Sequence, residues 1–108
     1  MKTVYLNELI RGFNGDGILV DGEPMSVKDL LLQYVGTFTS NNGAELILAR
    51  RVGQKIYDAK EDIDLEETEW NIVKQAVSRP KHVALVMGAF LEFINRVDRD
   101  EFSAHKER

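Results

Sequence analysis

Six carboxylates fall between positions 61 and 69: Glu61, Asp62, Asp64, Glu66, Glu67 and Glu69. A run of that kind could hold a hard cation such as calcium. A calcium-binding helix–loop–helix needs oxygen ligands at alternating positions and a glycine at the sixth, where the loop turns sharply. Counted from Asp62 the sixth residue is Glu67; counted from Asp58 the third is Lys60 and the sixth is Ile63. Both registers fail. The same carboxylates suit the first turns of a helix, whose dipole favours negative charge there.

Gly12, Gly15 and Gly17 spell G-x-x-G-x-G, the reverse of the dinucleotide-binding spacing. No helical pattern follows to offer its N-terminus to a phosphate, so a flexible turn is expected. His82 and His105 are the only histidines. Neither has a second histidine at helical spacing, as a zinc site on one helix face would need. Ser26, Ser40, Ser78 and Ser103 stand in turn, cap or tail contexts rather than in a nucleophile elbow. No nucleophile, metal set or phosphate loop is assembled, and the expectation is a protein that is not an enzyme and takes no metal or cofactor.

Two further groups bear on binding. Arg50, Arg51 and Lys55 lie outside the apolar stripe of one helical segment, and Arg79 and Lys81 flank Pro80. Converged, they would form a basic face for nucleic acid; scattered, they only keep the surface wet. Leu85, Ala89 and Phe93 repeat every fourth residue beside a longer apolar stripe on the last helix. Left uncovered, they would be a partner or dimer surface. The alternative is that the N-terminal hairpin covers them.

The elements that must carry these residues follow from periodicity and punctuation. Val4 and Leu6 share one face of a short strand. Ile18-Leu19-Val20, Asp21-Gly22 and Glu23-Pro24-Met25 read as a hairpin, since Asp-Gly supplies the positive φ that a tight turn needs, and Pro24 keeps the return strand short or at an edge. Ser26, with Asp29 three residues on, opens a first helix through Val27, Leu30, Leu31 and Tyr34, closed by Gly36. Thr37–Gly43 is a loop. A second helix runs from about Ala44 to Ala59 on Leu46, Ala49, Val52, Gly53 and Ile56. A third starts with Asp64 as N-cap and Glu67 three residues later, turns Leu65, Trp70, Val73 and Val77 inward, and ends before Pro80.

The fourth helix, from Lys81 or His82 to about Arg96, carries Val83, Val86, Met87, Phe90, Leu91, Ile94 and Val97 at unbroken helical spacing. With the third helix and the turn Ser78–Lys81 it resembles a helix-turn-helix in layout. A recognition helix, however, must show polar side chains to base edges, whereas this segment is strongly apolar.

The chain of 108 residues is one domain's worth: positions 1–97 are expected to be globular and 98–108 a charged, flexible tail. The absence of cysteine rules out disulfides and thiolate sites and fits a reducing compartment. The opening MKTVYLNELIRG has no apolar run of the signal-peptide kind. Val83–Ile94 is far short of the roughly 20 residues that span a bilayer, so a cytoplasmic protein without a membrane partner is expected. A net charge of −4 disfavours nucleic acid, whose phosphates call for concentrated positive charge.

Several features together are similar to short proteins encoded by tailed bacteriophages and prophages. They are the Met-Lys opening with Leu6-Asn7-Glu8, the Gly/Asp-rich stretch, the helix start Val27 to Leu32, and Gln54-Lys55-Ile56-Tyr57-Asp58-Ala59-Lys60 leading into acidic residues. The resemblance covers most of the chain. It implies a bacterial cytoplasm and a non-enzymatic role in assembly or regulation, and carries no site residues over.

The expectation is therefore an α+β, mainly helical domain with an N-terminal β-hairpin packed on about four helices. Its expected work is non-catalytic protein–protein interaction, as an assembly accessory or a modulator of a host protein, with self-association into a homodimer through Leu85, Ala89 and Phe93. The alternative is a nucleic-acid-associated regulator using the basic face.

Overall fold

The computed structural model describes residues 1–99. In chain order its elements are β1 (Lys2–Tyr5), β2 (Leu19–Val20), β3 (Glu23–Pro24), α1 (Val27–Gly36), α2 (Gly43–Asp58), β4 (Asp62–Leu65), α3 (Glu67–Val77) and α4 (Ala84–Asp98). The domain is α+β and mainly helical.

Local chemistry starts the first two helices where the sequence suggests. Ser26 Oγ accepts from the Asp29 N–H at 3.2 Å, and the Asp29 carboxylate accepts from the Ser26 N–H at 3.4 Å. This reciprocal box satisfies two donors that α1 would otherwise leave unpaired. Asn42 Oδ1 accepts from Ala44 and Glu45 N–H at the head of α2. At the other end of α2 the Lys28 ammonium donates to the carbonyls of Tyr57 at 3.1 Å and Ala59 at 2.6 Å, the charge that a helix C-terminus favours.

The hairpin forms on the expected turn. Asp21 and Gly22 have φ of +53° and +83°, as a type I′ turn requires, and Leu19 and Val20 pair with Pro24 and Glu23. Backbone bonds from Ile18 N to Ile10 O and from Ile10 N to Met25 O fold residues 9–26 into a small finger. Its outer apolar residues stay in solvent, with Phe13 95% exposed.

The acidic stretch folds differently from expectation. Asp62–Leu65 is not the start of a helix: it pairs antiparallel with β1, Lys2 opposite Leu65 and Tyr5 opposite Asp62. Strand pairing brings Leu65 into the core with no exposure, and the Thr3 hydroxyl donates to Asp64 Oδ1 at 2.7 Å. Helix α3 therefore begins at Glu67. Its start is held by the Glu69 carboxylate, which accepts from the Glu66 N–H at 2.9 Å.

Likewise α4 begins at Ala84 rather than at Lys81 or His82. The linker ahead of it is pinned by Tyr34, whose hydroxyl accepts from the Lys81 N–H at 2.8 Å. Val83 is consequently 72% exposed and not part of the core.

One core joins all four helices and β1 and β4, with Trp70, Tyr34, Phe90 and Phe93 its largest fully buried side chains. Helix α1 packs on α2 and α3, and α4 lies along β1. The Trp70 indole donates to Asp98 at 2.9 Å and the Lys2 ammonium to the Asp98 carbonyl at 2.7 Å. Asp98, expected as the first residue of the tail, is the last residue of α4. Positions 100–108, with Ser103 and His105, lie outside the described residues. Among the described residues no helix is long and apolar enough to cross a membrane.

Candidate functional site

The apolar stripe on α4 is not an uncovered surface. Phe93 has no exposure, and Leu85 and Ala89 are half-buried. Phe93 belongs to the core that α4 shares with β1, and Arg96, whose guanidinium sits 5.7 Å from the Phe93 ring centre, reaches back to pair with Glu8. The expectation that Leu85, Ala89 and Phe93 present a partner surface is corrected accordingly. Phe93 holds the fold together.

The basic residues do not converge either. Lys55 turns to Glu69, 2.9 Å away. Burial opposes the Glu69 charge, but the Glu66 N–H and the Lys55 ammonium outweigh it and hold that carboxyl below the usual carboxylate range. Lys81 lies over the Tyr34 ring, 5.4 Å from its centre, and donates to Thr37. Arg79 and Lys81 line one hollow, Arg50 another, and Arg51 lines neither. Among the described residues no three Asp, Glu or His side chains gather as a metal site.

The larger hollow, about 810 Å³, lies where the C-terminal ends of α1 and α3 meet the loop before α2. Its walls include Thr37, Ser40, Asn41, Gln75 and Arg79. Glu45 inside it already accepts from the Ser40 hydroxyl. Two helix C-termini and this carboxylate offset the two cations, so the hollow has no strong charge preference. Behind it Tyr34 is saturated. Its hydroxyl lies 2.9 Å from His82 Nδ1, donor and acceptor set by the imidazole tautomer, and 3.0 Å from the Met87 sulfur. His82 thus serves as a structural tie between the linker and α1.

The smaller hollow, about 380 Å³, lies between α1 and α2 and is lined by Leu32, Phe38, Leu46, Arg50, Gly53 and Tyr57 among others. Here the helix leaves apolar side chains in solvent: Leu46 is 41%, Ile47 57% and Tyr57 67% exposed. Leu46, expected among the inward residues, is displaced because α2 buries only Ala49, Val52 and Ile56. Ile47, Arg50, Gln54, Tyr57 and Asp58 follow the spacing of one helix face. That face looks away from the core, and every one of these five residues is exposed.

The sequence carried a signal for this face that periodicity alone does not rank. Ile47 and Tyr57 are large apolar residues that fall off the helix's own core stripe, and such residues have no reason to be there for packing. Compared with known protein families, curated proteins and solved structures, the chain matches none.

Proposed function

We propose that this chain is a non-catalytic protein–protein interaction protein that receives its partner on the outer face of α2. The observation that carries the reading is the exposure of three large apolar side chains on α2, Leu46, Ile47 and Tyr57, of which Leu46 and Tyr57 line a shallow hollow of mixed polarity between two helices. Apolar side chains grouped on one helix face and rimmed by charge are the usual makings of a docking surface. The phage and prophage likeness of the sequence supports a role as an assembly accessory or a modulator of a host protein in the bacterial cytoplasm. The expectation of an interaction surface is retained and moves from α4 to α2, because α4 is needed in the core.

The test is a photo-crosslinking side chain placed at position 47 in cells expressing the full chain. A discrete protein adduct that disappears with Tyr57→Glu supports the reading. No adduct at position 47, alongside normal folding, overturns it.

A further inference from the structure

We infer that the partner on α2 is a second copy of this chain, docked antiparallel about a two-fold axis close to Gln54. This inference rests on the docking reading of the α2 face and adds the identity and register of what covers it.

The charges on that face are arranged to be met by their own reverse. Arg50 and Arg51 sit near the middle of α2, and neither makes an ion pair or a side-chain hydrogen bond with another described residue. Asp58 ends the helix, and the exposed stretch after it carries Glu61 and Asp62 against one Lys60. Within one copy Arg50 cannot reach Asp58, since eight residues of helix separate them by about 12 Å. The Gln54 amide donates to both Asp58 oxygens, at 3.1 and 3.2 Å. It thereby holds the carboxylate on the outer face.

A two-fold axis at Gln54 places Arg50 of one copy opposite Asp58 of the other, and Arg51 opposite Tyr57. Each pair then occurs twice, as an isologous contact requires. The Arg51–Tyr57 pair adds a cation over an aromatic ring. A parallel arrangement would set Arg50 against Arg50 and Asp58 against Asp58, so the charges select the antiparallel one. Tyr57 supplies apolar area inside the seam and Ile47, opposite position 61 of the other copy, lies at its end; the helix is about 24 Å long, so the contact is a modest, salt-sensitive one.

Sedimentation equilibrium of the full chain over a hundredfold concentration range tests this. Wild type is expected to dimerise. Arg50→Glu with Arg51→Glu should weaken the dimer at least about tenfold, and so should Asp58→Arg with Glu61→Arg. Mixing these two variants should restore a heterodimer to within about threefold of wild type. The chain has no cysteine, so Gln54→Cys gives a single thiol. A short bismaleimide should link it as a homodimer far faster than it links the exposed control Val83→Cys. Circular dichroism is the check that each variant is folded.

A monomer at every concentration overturns the inference. If position 47 then still crosslinks to a different protein, the docking reading survives without it; if it crosslinks to nothing, both fall. A dimer indifferent to the charge reversals also overturns the inference, because its interface lies elsewhere.

Discussion

At Phe93 the side chain has no exposed surface and is among the largest in the core that joins the helices to β1 and β4. Phe93→Ala should cost about 3–5 kcal/mol, the range for a large aromatic removed from a packed core, read as a fall in the urea midpoint. The neighbouring lesson is Tyr34, whose hydroxyl accepts from the Lys81 N–H and meets His82 and Met87. Tyr34→Phe leaves the Lys81 N–H without its partner and should destabilise by about 1–2 kcal/mol, while the ring packing against Phe90, with centres 5.7 Å apart, remains. A Tyr34→Phe protein as stable as wild type would refute the pinning of the linker by that hydroxyl.

Two carboxyls give the fold an acid limb. The Trp70 indole and, after it, Lys74 and Lys2 hold the Asp98 carboxyl below the usual range against the opposing effect of burial, and Glu69 is lowered in the same direction. Both bind protons less readily in the folded state than in the unfolded chain. Their stabilisation is therefore complete above the ordinary carboxylate values near pH 4 and is lost as pH falls through the lower folded ones. Asp98→Asn should lower the urea midpoint at pH 7 and flatten its decline as pH falls below the ordinary carboxylate range near pH 4. Because Asp98 is partly in solvent, water screens its partners and the effect should be modest.

Among the elements, α2 carries the one interior glycine whose replacement is informative. A Cβ built at Gly53 would meet only Val35 Cγ1, at 3.6 Å, an ordinary contact. No close approach of α1 depends on glycine there. Gly53→Ala should stabilise the protein by about 0.5–1 kcal/mol through helix propensity and the smaller freedom of the unfolded chain. Thermal melting checks this, and a fall in Tm would mean that the α1–α2 spacing is tighter than 3.6 Å implies. The finger of residues 9–26 is the contrasting element. It is held by short-range backbone bonds around two turns, and it leaves Phe13, Leu19 and Val20 in solvent.

At the scale of the molecule, β1 and β4 join segments about sixty residues apart in sequence, and the Leu6 N–H extends that ladder to the Glu61 carbonyl at 2.8 Å. Lys2, Glu8, Trp70, Arg96 and Asp98 then tie both sequence ends of the core together. Native-state hydrogen exchange should show the amides of Val4, Leu6 and α4 opening together at the global unfolding free energy. The finger amides of Gly12 and Gly15 should open earlier by local fluctuation. Early exchange in β1 alone would mean that the N-terminal strand is not part of the cooperative core.

The features legible from sequence are those that neighbours a few residues apart decide. Ser26 with Asp29 caps a helix wherever the chain goes next, Asp21-Gly22 turns a hairpin by its own backbone preference, and Val86, Met87, Phe90, Ile94 and Val97 form a core face by helical spacing alone. The mainly helical α+β class followed from these. Tertiary structure decided the rest. Asp62–Leu65 became a strand because β1 offered it a partner, a long-range pairing that no local propensity shows. Phe93 is buried rather than exposed because the assembled helices and the β1–β4 pair close one core around it. Within the four helices, the large apolar side chains left in solvent are Leu46, Ile47 and Tyr57 on α2. Which face of a helix stays in water depends on what packs against the other side, and only the assembled chain settles that.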